Sequence, residues 1–78
     1  MLKMTEYFRY MRVRADRARI RDEWVSLAIE FPVAELRQPD GRIRRWVYIP
    51  SEGRYLRVVL LPDAETVHNA FFDRRFTP

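Results

Sequence analysis

The chain has 78 residues, 47% of them apolar, and a formal charge of +4. A chain this short buries only roughly 60% of the surface its unfolded form exposes, so one small domain spanning residues 1–78 is expected, with a stability that a partner chain would help. It contains no cysteine and one histidine, which excludes disulfides, thiolate metal sites and multi-histidine zinc or copper sites. With no DxD-like carboxylate cluster, neither a metal site nor a cofactor is expected. The N-terminus has no apolar signal region and no window approaches the ~20 apolar residues of a membrane span. The reading is a soluble, cytoplasmic protein that does not engage a membrane.

The charge is distributed in blocks. Residues 1–21 hold seven basic and two acidic side chains, a net +5; residues 22–41 carry −4, residues 42–61 carry +4 and residues 62–78 carry −1. Fourteen of the fifteen basic residues are Arg, whose planar fork binds phosphate bidentately and stacks on bases. A nucleic-acid partner fits this composition, and so does a genome rich in Arg codons. Only the positions of the arginines can separate the two.

Met4, Tyr7, Phe8 and Met11 follow the i, i+3, i+4, i+7 spacing of one helix face, which predicts a short amphipathic helix over 4–12. A second helix is predicted from Asp16, a good N-cap, to Glu30, with Ile20, Trp24, Leu27, Ala28 and Phe31 on one stripe and Val25 and Ile29 widening it. Pro32 ends it, because the residue before a proline is pushed out of the α region. The rhythm then changes to period two. Strands are predicted over 33–38, 42–49, 54–61 and 66–72, joined by turns at Pro39-Asp40-Gly41, Pro50-Ser51-Glu52-Gly53 and Pro62-Asp63-Ala64. Two N-terminal helices on a four-stranded antiparallel meander make an α+β fold.

Alternation proposes two sheet faces. Ile43, Val47, Ile49, Leu56, Val58, Leu60, Val67 and Phe71 would meet the helices. Arg44, Trp46, Tyr48, Tyr55, Arg57, His68 and Phe72 would lie opposite, with Val59 and Leu61 among them. Asn69 on the core side marks the last strand as irregular.

Two features could carry chemistry. Arg17, Arg19 and Arg21 fall in the first turns of the predicted second helix, where carboxylates are normally preferred. They read either as an anion site for phosphate, with Arg9, Arg12 and Arg14 leading into it, or as solvated arginines paired locally, Arg19 with Asp22 and Glu23 for instance. On the open sheet face, Arg44, Arg57 and His68 lie among Trp46, Tyr48 and Tyr55, an interleaving that suits stacked single-stranded bases and their phosphates. Metal-free RNA cleavage needs a proton acceptor, a proton donor and a cation. His68 could move protons and Arg57 could stabilise charge on phosphorus, with Tyr48 or Tyr55 as a second proton carrier. The structural alternatives are a satisfied strand histidine, a salt bridge from Arg57 to Asp73 or Glu65, and packing for Trp46. Trp24 reads as core.

No Gly-rich phosphate loop, Gx-Ser-xG elbow or second histidine is present, so nucleophilic hydrolase, kinase and dinucleotide-enzyme readings are set aside. No helix-turn-helix with a polar recognition helix supports a DNA-binding regulator.

The segments Asp40-Gly41-Arg42-Ile43-Arg44-Arg45-Trp46, Gly53-Arg54-Tyr55-Leu56-Arg57-Val58-Val59 and Asn69-Ala70-Phe71-Phe72-Asp73-Arg74-Arg75-Phe76, with Ile20-Arg21-Asp22-Glu23-Trp24-Val25, resemble an uncharacterised family of small bacterial and phage-associated domains. That family is placed beside the RelE/ParE and BrnT-like toxins of type II toxin–antitoxin systems. The resemblance implies a helix-plus-curved-sheet fold, RNA cleaved on the sheet face in the toxin relatives, and an acidic antitoxin covering that face; the partners expected for this chain are RNA, ribosome-associated mRNA among its forms, and an acidic antitoxin-like protein. Arg57 matches the mid-strand Arg of the Leu-Arg-Val motif, and Asp73 and Arg74 match the closing Phe-Phe-Asp-Arg. Tyr10 stands where many members carry a histidine ahead of the position of Ile20.

Two functions are therefore expected. One is a toxin-like RNA-binding protein, a candidate metal-independent endoribonuclease inhibiting translation, with Arg57, His68, Arg44 and Arg74 at the catalytic site. Arg17, Arg19, Arg21, Trp46, Tyr48 and Tyr55 would bind its RNA. The other is a non-catalytic protein-interaction or oligomerisation module, a homodimer among its forms.

Overall fold

A computed structural model describes residues 2–14 and 18–78. The chain forms α1 (Glu6–Met11), α2 (Asp22–Glu30), β1 (Ala34–Arg37), β2 (Ile43–Ile49), β3 (Arg54–Leu60) and β4 (Val67–Phe72). The strands form one antiparallel sheet in the order β1-β2-β3-β4. The architecture is α+β, two helices and a four-stranded meander, as the sequence predicts.

The turns set the registers. At the first, Gly41 donates its N–H to the Gln38 carbonyl at 2.9 Å and takes φ +91°, while Arg42 N–H reaches Asp40 Oδ1 at 3.0 Å. This is a type I turn closed by a left-handed glycine, which aligns Ala34 with Trp46 and Leu36 with Arg44. At the second, Glu52 and Gly53 both donate to the Ile49 carbonyl. At the third, both oxygens of Asp63 gather the N–H groups of Glu65 and Thr66 and the Thr66 hydroxyl. These bonds hold the Asp63 carboxyl down at about 2.

One face of the sheet carries the main core. Phe8 from α1, Val25 and Ala28 from α2, and Ile20 from the connection between them pack on Ile43, Val47, Ile49, Leu56, Val58, Leu60, Val67 and Ala70. Arg45 shares this face and spans its margin. Its Nη1 donates to the Ile29 carbonyl at 2.8 Å, satisfying an acceptor in the last turn of α2, and its Nε donates to Glu35 at 2.7 Å. Among the described residues, no helix is long and apolar enough to cross a membrane.

Three details differ from the sequence reading. α2 begins at Asp22, and the proposed cap Asp16 lies outside the described residues. Asp22 and Glu23 therefore fill its first turn, where the helix dipole favours carboxylates. The buried stripe also differs, and Phe31 leaves it because it caps the helix with non-helical φ −134°. Val25 and Ala28 are fully buried, while Leu27 and Phe31 face solvent. Finally, Val59 pairs with Asn69 but Leu60 pairs with Val67, so His68 is one extra residue, a β-bulge. The bulge lets Val67 and Ala70 both face the core. It brings Phe72 to the helix side, edge-on to Trp24, and Phe71 to the opposite side, reversing the alternation extrapolated from Val67.

Residues 3–5 run beside the outer edge of β4. Val67 N–H donates to the Lys3 carbonyl at 2.8 Å and Thr5 N–H to the Val67 carbonyl at 2.9 Å, a parallel bridge between Met4 and Val67. The edge of β1 has no such cover among the described residues.

Candidate functional site

Trp46, Arg57 and Phe71 are directly aligned across β2, β3 and β4. The Arg57 guanidinium carbon lies 5.6 Å from the Trp46 ring centroid and 4.8 Å from that of Phe71, so the cation sits between two aromatic neighbours. After β4 the chain folds back over this row. Asp73 N–H donates to the Tyr55 carbonyl at 2.9 Å, which aims its carboxylate at Arg57. Asp73 Oδ2 accepts Arg57 Nε at 2.9 Å, Arg57 Nη2 at 2.7 Å and Trp46 Nε1 at 3.0 Å. Its other oxygen accepts the Arg75 N–H at 3.0 Å. Burial alone would raise the Asp73 pKa, but the bonds from Trp46 and Arg57 outweigh it and hold the carboxyl below its ordinary range.

Phe76 completes the cluster. Its ring is stacked on Trp46 and stands edge-on to Tyr55, which in turn meets the half-exposed Tyr48. Trp46 retains only 6% of its exposure, because the chain's own tail occupies the surface on which a base would stack.

His68 belongs to a different neighbourhood. Its Nδ1 is 3.2 Å from the Thr5 hydroxyl, and its ring stacks on Tyr7 with centroids 5.0 Å apart. Thr5 Oγ1 also accepts the Phe8 N–H as the N-cap of α1. The hydroxyl has one hydrogen and two lone pairs, so the direction of its bond with His68 Nδ1 follows the imidazole tautomer. Burial, aided by the positive charge of Arg42, lowers the His68 pKa, with Asp40 acting in the other sense. His68 lies three residues along β4 from Phe71, the partner of Arg57, about 10 Å at strand spacing.

Of the other candidates, Arg44 donates to Gln38 Oε1 at 2.8 Å and Arg74 is exposed. Arg19 is exposed ahead of α2, Arg21 pairs with Glu23 at 3.2 Å, and Arg17 lies outside the described residues. Arg12 pairs with Asp22. The structure therefore joins Trp46, Arg57, Tyr48 and Tyr55 in one cluster and leaves Arg44, His68, Arg19 and Arg21 apart from it. Sequence reasoning missed Phe76 as the lid on Trp46, and Thr5 and Tyr7 as partners of His68. Thr5, three residues before a buried Phe, carried a legible capping signal.

A groove of about 560 Å³ lies on the helix side, lined by acidic residues of α2 together with Leu2, Lys3 and Glu65. Among the described residues, no group of three or more His, Asp or Glu side chains is arranged to hold a metal ion. No family model, curated protein or solved structure matches the chain.

Proposed function

We propose that this chain is a non-catalytic protein-interaction or oligomerisation module. The observation that carries this reading is the separate engagement of the polar groups a nuclease would need. Arg57 is bound to Asp73, His68 to Thr5, and Arg44 to Gln38. A general acid–base pair and its cation must converge within hydrogen-bond reach of one phosphate, and these three serve three different local structures. Meanwhile Leu27, Phe31, Val33 and Leu36 remain exposed around the end of α2 and along β1. Incubation of the folded protein with a mixed RNA ladder in EDTA tests the reading. Intact RNA is expected. Cleavage that disappears in Arg57→Ala or His68→Ala variants of verified fold would overturn it.

A second reading, the toxin-like RNA binder with an acidic antitoxin as partner, draws on a separate observation. Arg19, Arg37 and Arg74 are exposed with no carboxylate partner among the described residues, in a chain of net charge +4. Phosphate contacts release counterions, so this reading expects affinity for single-stranded RNA that falls steeply with added salt. Fluorescence anisotropy at two salt concentrations, with Arg19→Ala and Arg74→Ala variants, measures it directly.

A further inference from the structure

The two edges of the sheet are treated differently by the chain. The β4 edge is bridged by residues 3–5, whereas β1 presents Glu35, Leu36 and Arg37 to solvent, Leu36 being 50% exposed. Such an edge is a template for a further strand unless something prevents it.

The hydrogen-bond phase of β1 identifies which groups are on offer. Gln38 N–H donates to the Arg42 carbonyl at 2.8 Å, so residues 38 and 42 form a hydrogen-bonded pair of the ladder. By the two-residue repeat, Leu36 and Ala34 also turn their N–H and C=O groups toward β2, opposite Arg44 and Trp46. Glu35 and Arg37 therefore direct theirs outward. Those two residues carry opposite charges.

Extending the reading of the chain as an interaction module, we infer that its partner through this edge is a second copy of itself. Two β1 strands would pair antiparallel about a two-fold axis at Leu36, joining two four-stranded sheets into one of eight strands. In that register Glu35 faces the partner's Arg37 and Arg37 faces the partner's Glu35. Each couple exchanges two backbone hydrogen bonds and sets opposite charges across the strands. Leu36 meets its own symmetry mate at the close, non-hydrogen-bonded position.

Charge selects this register over its neighbours. An axis at Glu35 would set Glu35 against Glu35, and one at Arg37 would set Arg37 against Arg37; both place like charges directly opposite. At the end of the pairing Val33, 55% exposed, would come opposite the partner's Pro39. Pro39 has no N–H and the Val33 N–H is already donated to the Trp46 carbonyl at 2.8 Å, so the ladder stops there and the interface stays short. Arg45 already donates to Glu35 Oε1, so on each side Glu35 would lie between its own Arg45 and the partner's Arg37.

Sedimentation velocity over a concentration series tests the inference, using the wild type, Glu35→Arg, Arg37→Glu and an equimolar mixture of the two variants, each with its fold verified by circular dichroism. Wild type is expected to dimerise reversibly. Each single variant sets like charges opposite each other at both symmetric positions and should associate at least about 10-fold more weakly. The mixture restores both opposite-charge couples and should recover the dimer as a heterodimer. A wild-type monomer, or a dimer indifferent to these variants, overturns the β1 pairing. The RNA ladder and anisotropy experiments separately decide the interaction-module reading, so a monomer that neither cleaves nor retains RNA refutes this interface while leaving that reading intact.

Discussion

Phe76 lies nearly parallel to Trp46, with ring centroids 4.6 Å apart and an interplanar angle of 14°. The segment after the last strand thereby closes a second apolar layer on the side of the sheet away from the helices. Phe76→Ala should remove both the stacking and the edge contact with Tyr55, at a loss of about 1–3 kcal/mol. Urea unfolding would measure the loss. A red shift of native-state emission should accompany it as Trp46 becomes exposed to water.

The Arg57–Asp73 pair predicts an ordered set of stabilities. Asp73→Ala leaves a largely buried guanidinium and the Trp46 N–H without their acceptor, and is expected to cost about 3 kcal/mol. Asp73→Asn retains an acceptor for Trp46 and should lose less. Arg57→Met keeps a chain packed between Trp46 and Phe71 and leaves Asp73 with two N–H donors, so about 1–2 kcal/mol is expected. Chemical denaturation gives the ranking; an Asp73→Ala protein as stable as wild type would contradict it.

His68 and the two bonded aspartates give the stability two separate acid dependences. The folded pKa of His68 lies below its ordinary 6.5, so the unfolded chain binds more protons below that value. Its contribution is present above pH 6.5 and is lost as pH falls from there through the folded pKa. Asp63 and Asp73 are also depressed, so their contributions are present above pH 3.8 and are lost on further acidification, for Asp63 toward about pH 2. His68 is the sole histidine, so its ring protons can be followed individually by NMR. A midpoint at or above 6.5 would refute the first part. His68→Gln should flatten only the upper segment of a stability profile.

Two turn positions with positive φ should respond unequally to exchange of glycine and alanine. Gly41 has φ +91°, and an added Cβ would stand 3.1 Å from Pro62 Cγ, so Gly41→Ala is expected to cost about 1–2 kcal/mol. Ala64 has φ +62° and packs against the core. In Ala64→Gly, relief of the left-handed conformation is offset by added chain entropy and the lost methyl, leaving a change within about 0.5 kcal/mol of zero. Thermal unfolding of the two variants compares them directly.

The strands and turns were legible because Pro39-Asp40-Gly41 and its two counterparts interrupt the apolar alternation at each chain reversal. The start of α2 was harder to read. The apolar stripe runs back to Ile20, yet Ile20 reaches the core from the connection, and the acidic pair Asp22-Glu23 was the better signal of the first turn. Alternation also has no means of counting the extra residue at His68; the polar Asn69 in a core slot was its only trace. For the site, burial of a mid-strand Arg demanded a carboxylate, which narrowed the choice to Asp73 or Glu65. Contacts between His68 and Thr5, 63 positions apart, left no periodic signature.

The bridge between residues 3–5 and β4 has a kinetic consequence. α1 is six residues long, too short to persist alone, and its cap Thr5 is also bonded to Val67 and His68 near the opposite end of the chain. The β2–β3 hairpin can close locally, but α1 must wait for β4, so the first helix in sequence should be among the last elements to fold. Its amides should likewise exchange faster than those of Val47 and Val58 in the central strands, marking the place where the native structure first comes apart.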